Sequence, residues 1–158
     1  MADFDLFLKI DGIEGECQDS KHKGDLQITS FSKGVDHAVT GGTQGDTRGQ
    51  SQWQDAAFTM KMDKSYPKLF LSCTQGDHIN KAVLTCRKAG REQQEFLKIT
   101  FYDALVSRCE VHGGHDMPLV AFSFNFSRIE EEYKTQKDDG SLSGAIKYSY
   151  SIPTAKGQ

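Results

Sequence analysis

The sequence has 158 residues, of which 37% are hydrophobic, so its length suits a single domain with its own core. Lysine and arginine number 19 against 22 aspartates and glutamates, and the formal charge of −3 excludes the basic excess of nucleic-acid binders. No stretch has the roughly 18 consecutive apolar residues of a membrane span, and the start lacks the segments of a signal peptide. We therefore expect one domain over residues 1–158, made in the cytoplasm, with no nucleic-acid partner and no membrane insertion.

The first elements along the chain have the period-2 pattern of strands. From Phe4 to Ile10, large apolar side chains alternate with other residues, and Asp11-Gly12 ends the strand. Strand chemistry resumes over Leu26–Val35, where Phe31 breaks the alternation and so indicates a bulge.

A polar, glycine-rich stretch follows from Asp36 to Gln52. Its length of about 17 residues exceeds the roughly 12–15 above which loops in compact domains are usually functional or disordered. Two interpretations compete: a mobile surface loop, which loop statistics favour, and an arm that becomes ordered on a partner. A phosphate-binding loop over Gly41–Gly49 is rejected, because the stretch lacks a GK[ST] ending and precedes a strand, not a helix.

One helix is predicted, within Asp63–Asp77 at about residues 65–75. It follows a strand over Trp53–Met62, and its large side chains at positions 66, 69, 70 and 73 fall on one helical stripe. Asp63 or Ser65 can cap its start, Pro67 suits the first turn, and Gly76 ends it.

The second half of the chain is again strand-like. The longest strand-like segment, Phe96–Val111, is expected to bend near Asp103. The other predicted strands are Ile79–Arg87, Leu119–Tyr133 and Ala145–Ile152. Eight or nine short strands and one helix predict a mainly β fold: an antiparallel two-sheet β-barrel or sandwich with one short flanking α-helix.

Residue patterns for catalysis or metal binding are weak. His112 and His115 form an H-G-G-H pair, but a tetrahedral site needs further ligands, so we expect a surface loop there. The four cysteines, at positions 17, 73, 86 and 109, have no zinc-type spacing. No nucleophile signature occurs, and alternation splits Glu130–Glu132 between two faces of a strand. We expect no enzyme activity, no cofactor and no metal.

Seven stretches, in order and over nearly the whole chain, resemble a known family, the hemolysin-coregulated proteins (Hcp) of bacterial type VI secretion. The stretches are Phe7–Glu16, His22-Lys23, Ser30–Val35, Asp63–Leu71, His78–Gly90, Phe96–Ser107 and Phe122–Tyr133. The chain departs from the family pattern at Cys17, where serine is frequent, and in its last strand, which lacks the tryptophan found in many members.

The resemblance implies a structural, exported protein. Six copies would close into a homohexameric ring, and rings would stack into a hollow tube. A spike protein would tip the tube, a contractile sheath would surround it, and small effector proteins would be carried and protected in its lumen. The protein would be cytoplasmic before firing and then secreted without a cleaved signal peptide. A monomeric ligand-binding β-barrel and, third, an enzyme are the alternatives.

The resemblance also implies two sets of functional residues. Ser30 and Ser32 correspond to lumen-facing chain and are possible cargo contacts, although the break in alternation at Phe31 leaves their facing open. The long loop would reach a neighbouring subunit in the stack, which reverses the preference for a mobile loop. The residues of that contact loop are Gly41, Gly42, Thr43, Gln44, Gly45, Asp46, Thr47 and Arg48.

Overall fold

A computed structural model describes residues 3–38, 51–89 and 93–152. The predicted contact loop, Gly41–Arg48, lies outside these described residues. The described chain contains one helix, α1, at Tyr66–Gln75. Its strands are β1 Phe4–Ile10, β2 Leu26–Ile28, β3 Ser30–Ser32, β4 Val35–His37, β5 Ser51–Trp53, β6 Ala56–Lys61, β7 His78–Lys88, β8 Glu95–His112, β9 Leu119–Asn125, β10 Arg128–Gln136 and β11 Leu142–Ser151.

Strand β8 joins two layers of antiparallel sheet. Its first half lies between β7 and β10, and its second half pairs with β9, so that the strand order is β2-β1-β7-β8-β9-β6-β3 with β10-β11 branching from β8. The predicted bend is confirmed, because Asp103 has a φ of +51° between the two halves. One layer therefore holds β2, β1, β7, β10 and β11, and the other holds β9, β6 and β3.

The partner strand bends at the same place. Asn125 opposes Leu105 and Arg128 opposes Tyr102, so β9 and β10 form one long antiparallel run along β8 that is interrupted at Phe126-Ser127. The sequence predicted a single strand over Leu119–Tyr133. The interruption arises because both partners must turn the corner between the layers.

The break in alternation at Phe31 has a similar cause. The predicted strand Leu26–Val35 is divided into β2, which pairs with β1 in the first layer, and β3, which pairs with β6 in the second. Thr29 lies between them, and its amide N–H donates to the Thr59 carbonyl at 2.8 Å. The chain changes layer at this residue, so the alternation restarts in a new phase.

The core fills the space between the layers. Its fully buried side chains come from α1 and from strands β1, β2 and β6 to β10, and the largest are Phe58, Phe101, Phe124, Leu8, Leu26, Met60, Leu69, Leu84, Ile99 and Ile129. Phe58 contacts three other phenylalanines, with ring centroids 5.3 Å from Phe122, 5.3 Å from Phe124 and 6.1 Å from Phe101. Of the two predicted forms, a barrel and a sandwich, the structure is a two-sheet sandwich, since no strand pairing among the described residues closes a barrel.

Helix α1 forms as predicted and packs against β8. Ser65 occupies the N-cap position, but its hydroxyl donates to Asp63 instead of capping the helix. Gly76 adopts the left-handed conformation at the C-terminus, where its N–H donates to the Ser72 carbonyl. With ten residues, α1 is well below bilayer length, and no described helix is long and apolar enough to cross a membrane.

Phe7 is buried, although the alternation of β1 assigns it to the face opposite the core. Its ring is 2% exposed because the loop after β1 folds over it: His22 stacks on Phe7 at 4.2 Å and the Arg87 guanidinium lies 4.7 Å from the ring centre. The His22 ring nitrogens contact Asp25 at 2.9 Å and Glu95 at 2.7 Å. This cluster fastens the loop to the first layer.

Candidate functional site

The outward face of the second layer carries a continuous set of small side chains, here called the small-residue face. Strand register places Ser30 beside Thr59 and Ser32 beside Ala57, and these continue onto β9. Phe31, between the two serines, opposes the core residue Phe58. The members of the face are Ser30, Ser32, Ala57, Thr59, Ala121 and Ser123.

The small-residue face is neutral and hydroxyl-rich. Ser123 lies 2.7 Å from the Ser107 hydroxyl on the neighbouring strand, and no member carries a charge. Charged groups begin at its borders: Lys61 follows Ala57 and Thr59 on the same side of β6, and on β8 Arg108 contacts Glu110 and lowers the pKa of that carboxyl. A surface of short side chains offers weak, unspecific contacts. Such a surface is better suited to transient contact with another polypeptide than to tight binding of one ligand.

The structure brings Ser30 and Ser32 together on the small-residue face, so both are exposed to the same side. The other four members were not identified from the sequence, because they come from β6 and β9 and meet β3 only through long-range pairing. Their period-2 alternation with Phe58 and Phe122 was the one available signal. Strands β4 and β5, on either side of the predicted contact loop, pair with each other.

A second surface consists of large apolar side chains that the second layer leaves uncovered, here called the apolar shelf. It continues the core-facing side of the first layer, where Leu97 on β8 opposes Tyr133 on β10, which opposes Ile146 on β11. The shelf is formed by Phe4, Phe96, Leu97, Tyr133, Ile146 and Tyr148. Four of these are strongly exposed: Phe4 51%, Tyr133 45%, Ile146 69% and Tyr148 45%.

The apolar shelf is contiguous and lies at an open sheet edge. Phe96 bridges its two ends, with ring centroids 5.7 Å from Phe4 and 6.1 Å from Tyr133. Strand β11 pairs only with β10 among the described residues, so its other edge presents unpaired backbone groups. Clustered apolar side chains beside an unpaired edge are typical of a surface that another chain covers.

Metal-ligand clusters and thiol acidity were the two chemical features to look for among the described residues. They contain no group of three or more His, Cys, Asp or Glu side chains placed to hold a metal ion. His112 instead pairs with Glu110 at 3.3 Å. Burial raises the pKa of Cys86 and, together with the nearby Cys73, raises the pKa of Cys109 to about 11, which disfavours the reactive thiolate.

Comparison with known proteins identifies the family. The family described as "Type VI secretion system effector, Hcp" matches residues 7–133. The chain is 36% identical over 153 residues to protein hcp1 of Pseudomonas aeruginosa, with 94% of each chain covered. The crystal structure of Hcp1 from Salmonella typhimurium has a TM-score of 0.80 at 32% identity, with 96% of both chains covered. A structure of a type six secretion system protein has a TM-score of 0.86 at 26% identity, covering 94% of this chain and 96% of the other. The chain therefore belongs to the Hcp family of type VI secretion system proteins.

Proposed function

We propose that the protein is the subunit of a type VI secretion inner tube. Six copies form a ring, the rings stack into a hollow tube, and the tube is exported with effector proteins in its lumen. The role is structural and not enzymatic. A spike protein at the tip and a contractile sheath around the tube are its partners, and it remains cytoplasmic until it is secreted without a cleaved signal peptide.

One observation carries this proposal: a neutral small-residue face and an uncovered apolar shelf occur on the same sandwich. Identical subunits that join through unlike surfaces make heterologous contacts, and these contacts close into a ring when the rotation permits. In this arrangement the shelf is covered by a neighbouring copy, while the small-residue face remains free. We assign the shelf to contacts within the ring.

The small-residue face is assigned to the lumen, and Ser30 and Ser32 to cargo contacts. Short side chains leave the passage wide, and their hydroxyls supply hydrogen bonds to a polypeptide without selecting one sequence. The contact loop from Gly41 to Arg48 is assigned to contacts between stacked rings, on the basis of the family resemblance.

The first experiment measures the solution mass of the purified protein by light scattering on a sizing column, with negative-stain images of the peak. We expect a six-subunit species with a central hole. Deleting residues 41–48 is expected to leave the rings intact and to shorten or abolish stacks. A monodisperse monomer at high concentration, with no rings on the grid, would contradict the proposal.

A bulky substitution tests the lumen assignment. Ser32→Trp is expected to leave the ring mass unchanged and to reduce co-purification of a co-expressed effector, because six indoles would narrow the passage. Ser149→Trp is the matched control, since Ser149 is an exposed serine on the outward face of the other layer. Equal effector recovery with both variants would argue against a lumen at the small-residue face.

A monomeric ligand-binding protein is the second candidate, favoured by an open groove of ≈ 950 Å³ at the shelf end of the sandwich. Its apolar lining includes Leu6, Ile28, Met62, Phe96 and Met117, and its carboxylates are Asp3, Asp5, Glu16 and Asp63. Apolar walls with a few polar groups are typical of small-molecule sites. The mass measurement separates the candidates, because this one requires a monomer.

A further inference from the structure

Strands β4 and β5 are here called the loop stem, because they are the strands before and after the contact loop. They pair with each other over three residues and form a small sheet of their own. Within the described chain, neither strand pairs with a strand of the two layers. The position of the stem is therefore set by side-chain contacts and not by a ladder of backbone hydrogen bonds.

Three side-chain contacts attach the loop stem to strands β10 and β11. The Trp53 ring stacks on Tyr150, with ring centroids 5.8 Å apart. The Ser51 hydroxyl lies 3.4 Å from the Tyr150 hydroxyl. Just before β4, the Lys33 ammonium lies 2.9 Å from the Glu131 carboxylate, and both of these side chains are mostly buried. The stem is thus fastened to the same strand pair that carries part of the apolar shelf.

The attachment point and the apolar shelf lie on one side of β11. Ile146, Tyr148 and Tyr150 alternate along the strand and all three are exposed. Register pairs Tyr148 with Glu131, and Tyr150 with the core residue Ile129. A copy of the protein that covers the shelf therefore lies directly beside the contacts that hold the loop stem.

The stack of Trp53 on Tyr150 contains one unfavourable feature. The indole N–H is enclosed and has no hydrogen-bond acceptor among the described residues. A buried donor without an acceptor disfavours the arrangement that encloses it. The aromatic contacts to Tyr150 and, at 6.1 Å, to Phe126 favour the same arrangement. The stem is therefore weakly held in a single subunit, and further burial of Tyr150 strengthens its attachment.

We propose that Trp53 and Tyr150 couple ring closure to ring stacking. The inference rests on the proposed function, in which the shelf makes the contact within the ring and the contact loop makes the contact between rings. A neighbour on the shelf buries Tyr150 and holds Trp53 against it, so both ends of the contact loop are fixed before a second ring arrives. Less conformational entropy is then lost on stacking. Because coupling is reciprocal, stacking also stabilises the ring.

The first test measures the exposure of Trp53, which is the only tryptophan of the chain. Acrylamide quenching of its fluorescence is compared between wild-type rings and Ile146→Glu, which carries a charge on the shelf and is expected to be monomeric. We expect the quenching constant to be about twofold larger in the monomer, because the stem is released more often. Lys147→Glu, on the other side of the same strand, is expected to be quenched like wild type.

The second test measures stacking in rings of the full-length protein by negative stain. Trp53→Ala is expected to give rings of wild-type mass and about tenfold fewer rings in stacks. Trp53→Phe retains an aromatic ring and removes the unpaired N–H, so it should stack at least as well as wild type. Gln52→Ala is the matched control, since Gln52 is exposed and lies on the opposite side of β5 from Trp53.

Light scattering on the same samples separates this inference from the proposed function. If the wild-type protein forms no rings, or rings that never stack, the tube proposal fails and the coupling fails with it. If Trp53→Ala stacks like wild type, or if Ile146→Glu monomers are quenched like wild-type rings, the coupling is wrong and the tube proposal stands. Ile146→Glu that still forms rings, or Trp53→Ala that forms none, would also overturn the coupling, because the shelf or Trp53 would then have a different role.

Discussion

The Arg87 guanidinium donates a hydrogen bond to the Asp19 carboxylate at 2.8 Å, which ties the loop after β1 to strand β7. Arg87 is 3% exposed and donates a second bond to Asp5 at 3.1 Å. The hydrogen bond from Arg87 to Asp19, with a further bond from the Lys21 amide, lowers the pKa of Asp19 to about 2. The loop therefore depends on an ion pair that forms only while Asp19 is ionised.

Replacing Asp19 is expected to reduce stability in a pH-dependent way. The folded-state pKa is below the unfolded value, so the contribution is complete above about pH 4 and is lost as the pH falls through about 2. We expect Asp19→Asn to lower the free energy of unfolding by about 1–2 kcal/mol at pH 7, after allowance for partial exposure.

Urea denaturation of wild type and Asp19→Asn at pH 7 and pH 2.5 measures this effect. The difference in the free energy of unfolding between wild type and Asp19→Asn should shrink at the lower pH. The control is Asp77→Asn, at an exposed aspartate without an ion pair in the described chain, which should differ little from wild type at either pH. A difference of equal size at both values would show that packing, not ionisation, is responsible.

The corner at Asp103 is expected to tolerate glycine better than a β-branched residue. With a φ of +51°, this position disfavours most side chains, while its contacts to His78 and Ser127, both at 3.1 Å, are exposed and weak. We expect Asp103→Val to cost about 1–2 kcal/mol and Asp103→Gly less than about 0.5 kcal/mol.

Thermal unfolding compares these variants, with Lys98→Val as a control in an extended, exposed part of the same strand. If Asp103→Gly loses as much stability as Asp103→Val, the side-chain contacts and not the backbone conformation hold the corner.

The half-buried Cys109 thiol is expected to resist labelling. A pKa of about 11 leaves Cys109 with about a hundredfold less thiolate at pH 8 than a thiol with the ordinary value of 9.0. Reaction of Cys109 with a disulfide reagent should therefore be slow in the native protein, whereas in urea the reagent should reach all four cysteines. Mass spectrometry of the native sample identifies the site, and early modification of Cys109 would contradict the packing described for it.

A charge on the apolar shelf is expected to abolish rings. Ile146 is 69% exposed, so Ile146→Glu should not unfold the subunit, but it would place a carboxylate in the proposed contact between neighbours. Light scattering should then give a monomer. Lys147→Glu is the matched control, because its side chain points to the opposite side of the same strand. If Ile146→Glu forms rings of unchanged mass, the apolar shelf does not form the contact between subunits.

The sequence determined the local elements. Period-2 alternation located β1, β7 and β8, and the helical stripe with Pro67 and Gly76 located α1, because these patterns depend on neighbours within a few residues. The bend at Asp103 was also expected. The family resemblance supplied the functional prediction, since seven ordered stretches are specific even where no single motif is.

The tertiary structure decided which residues share a surface. The side of the sheet on which Ser30 and Ser32 lie follows from the change of layer at Thr29, which the sequence does not show. Phe7 is buried by the loop after β1, and strand alternation does not predict that contact. The small-residue face and the apolar shelf each combine strands distant in sequence. Their register is set by long-range pairing and packing, so local patterns predict the strands but not the surfaces that the strands build.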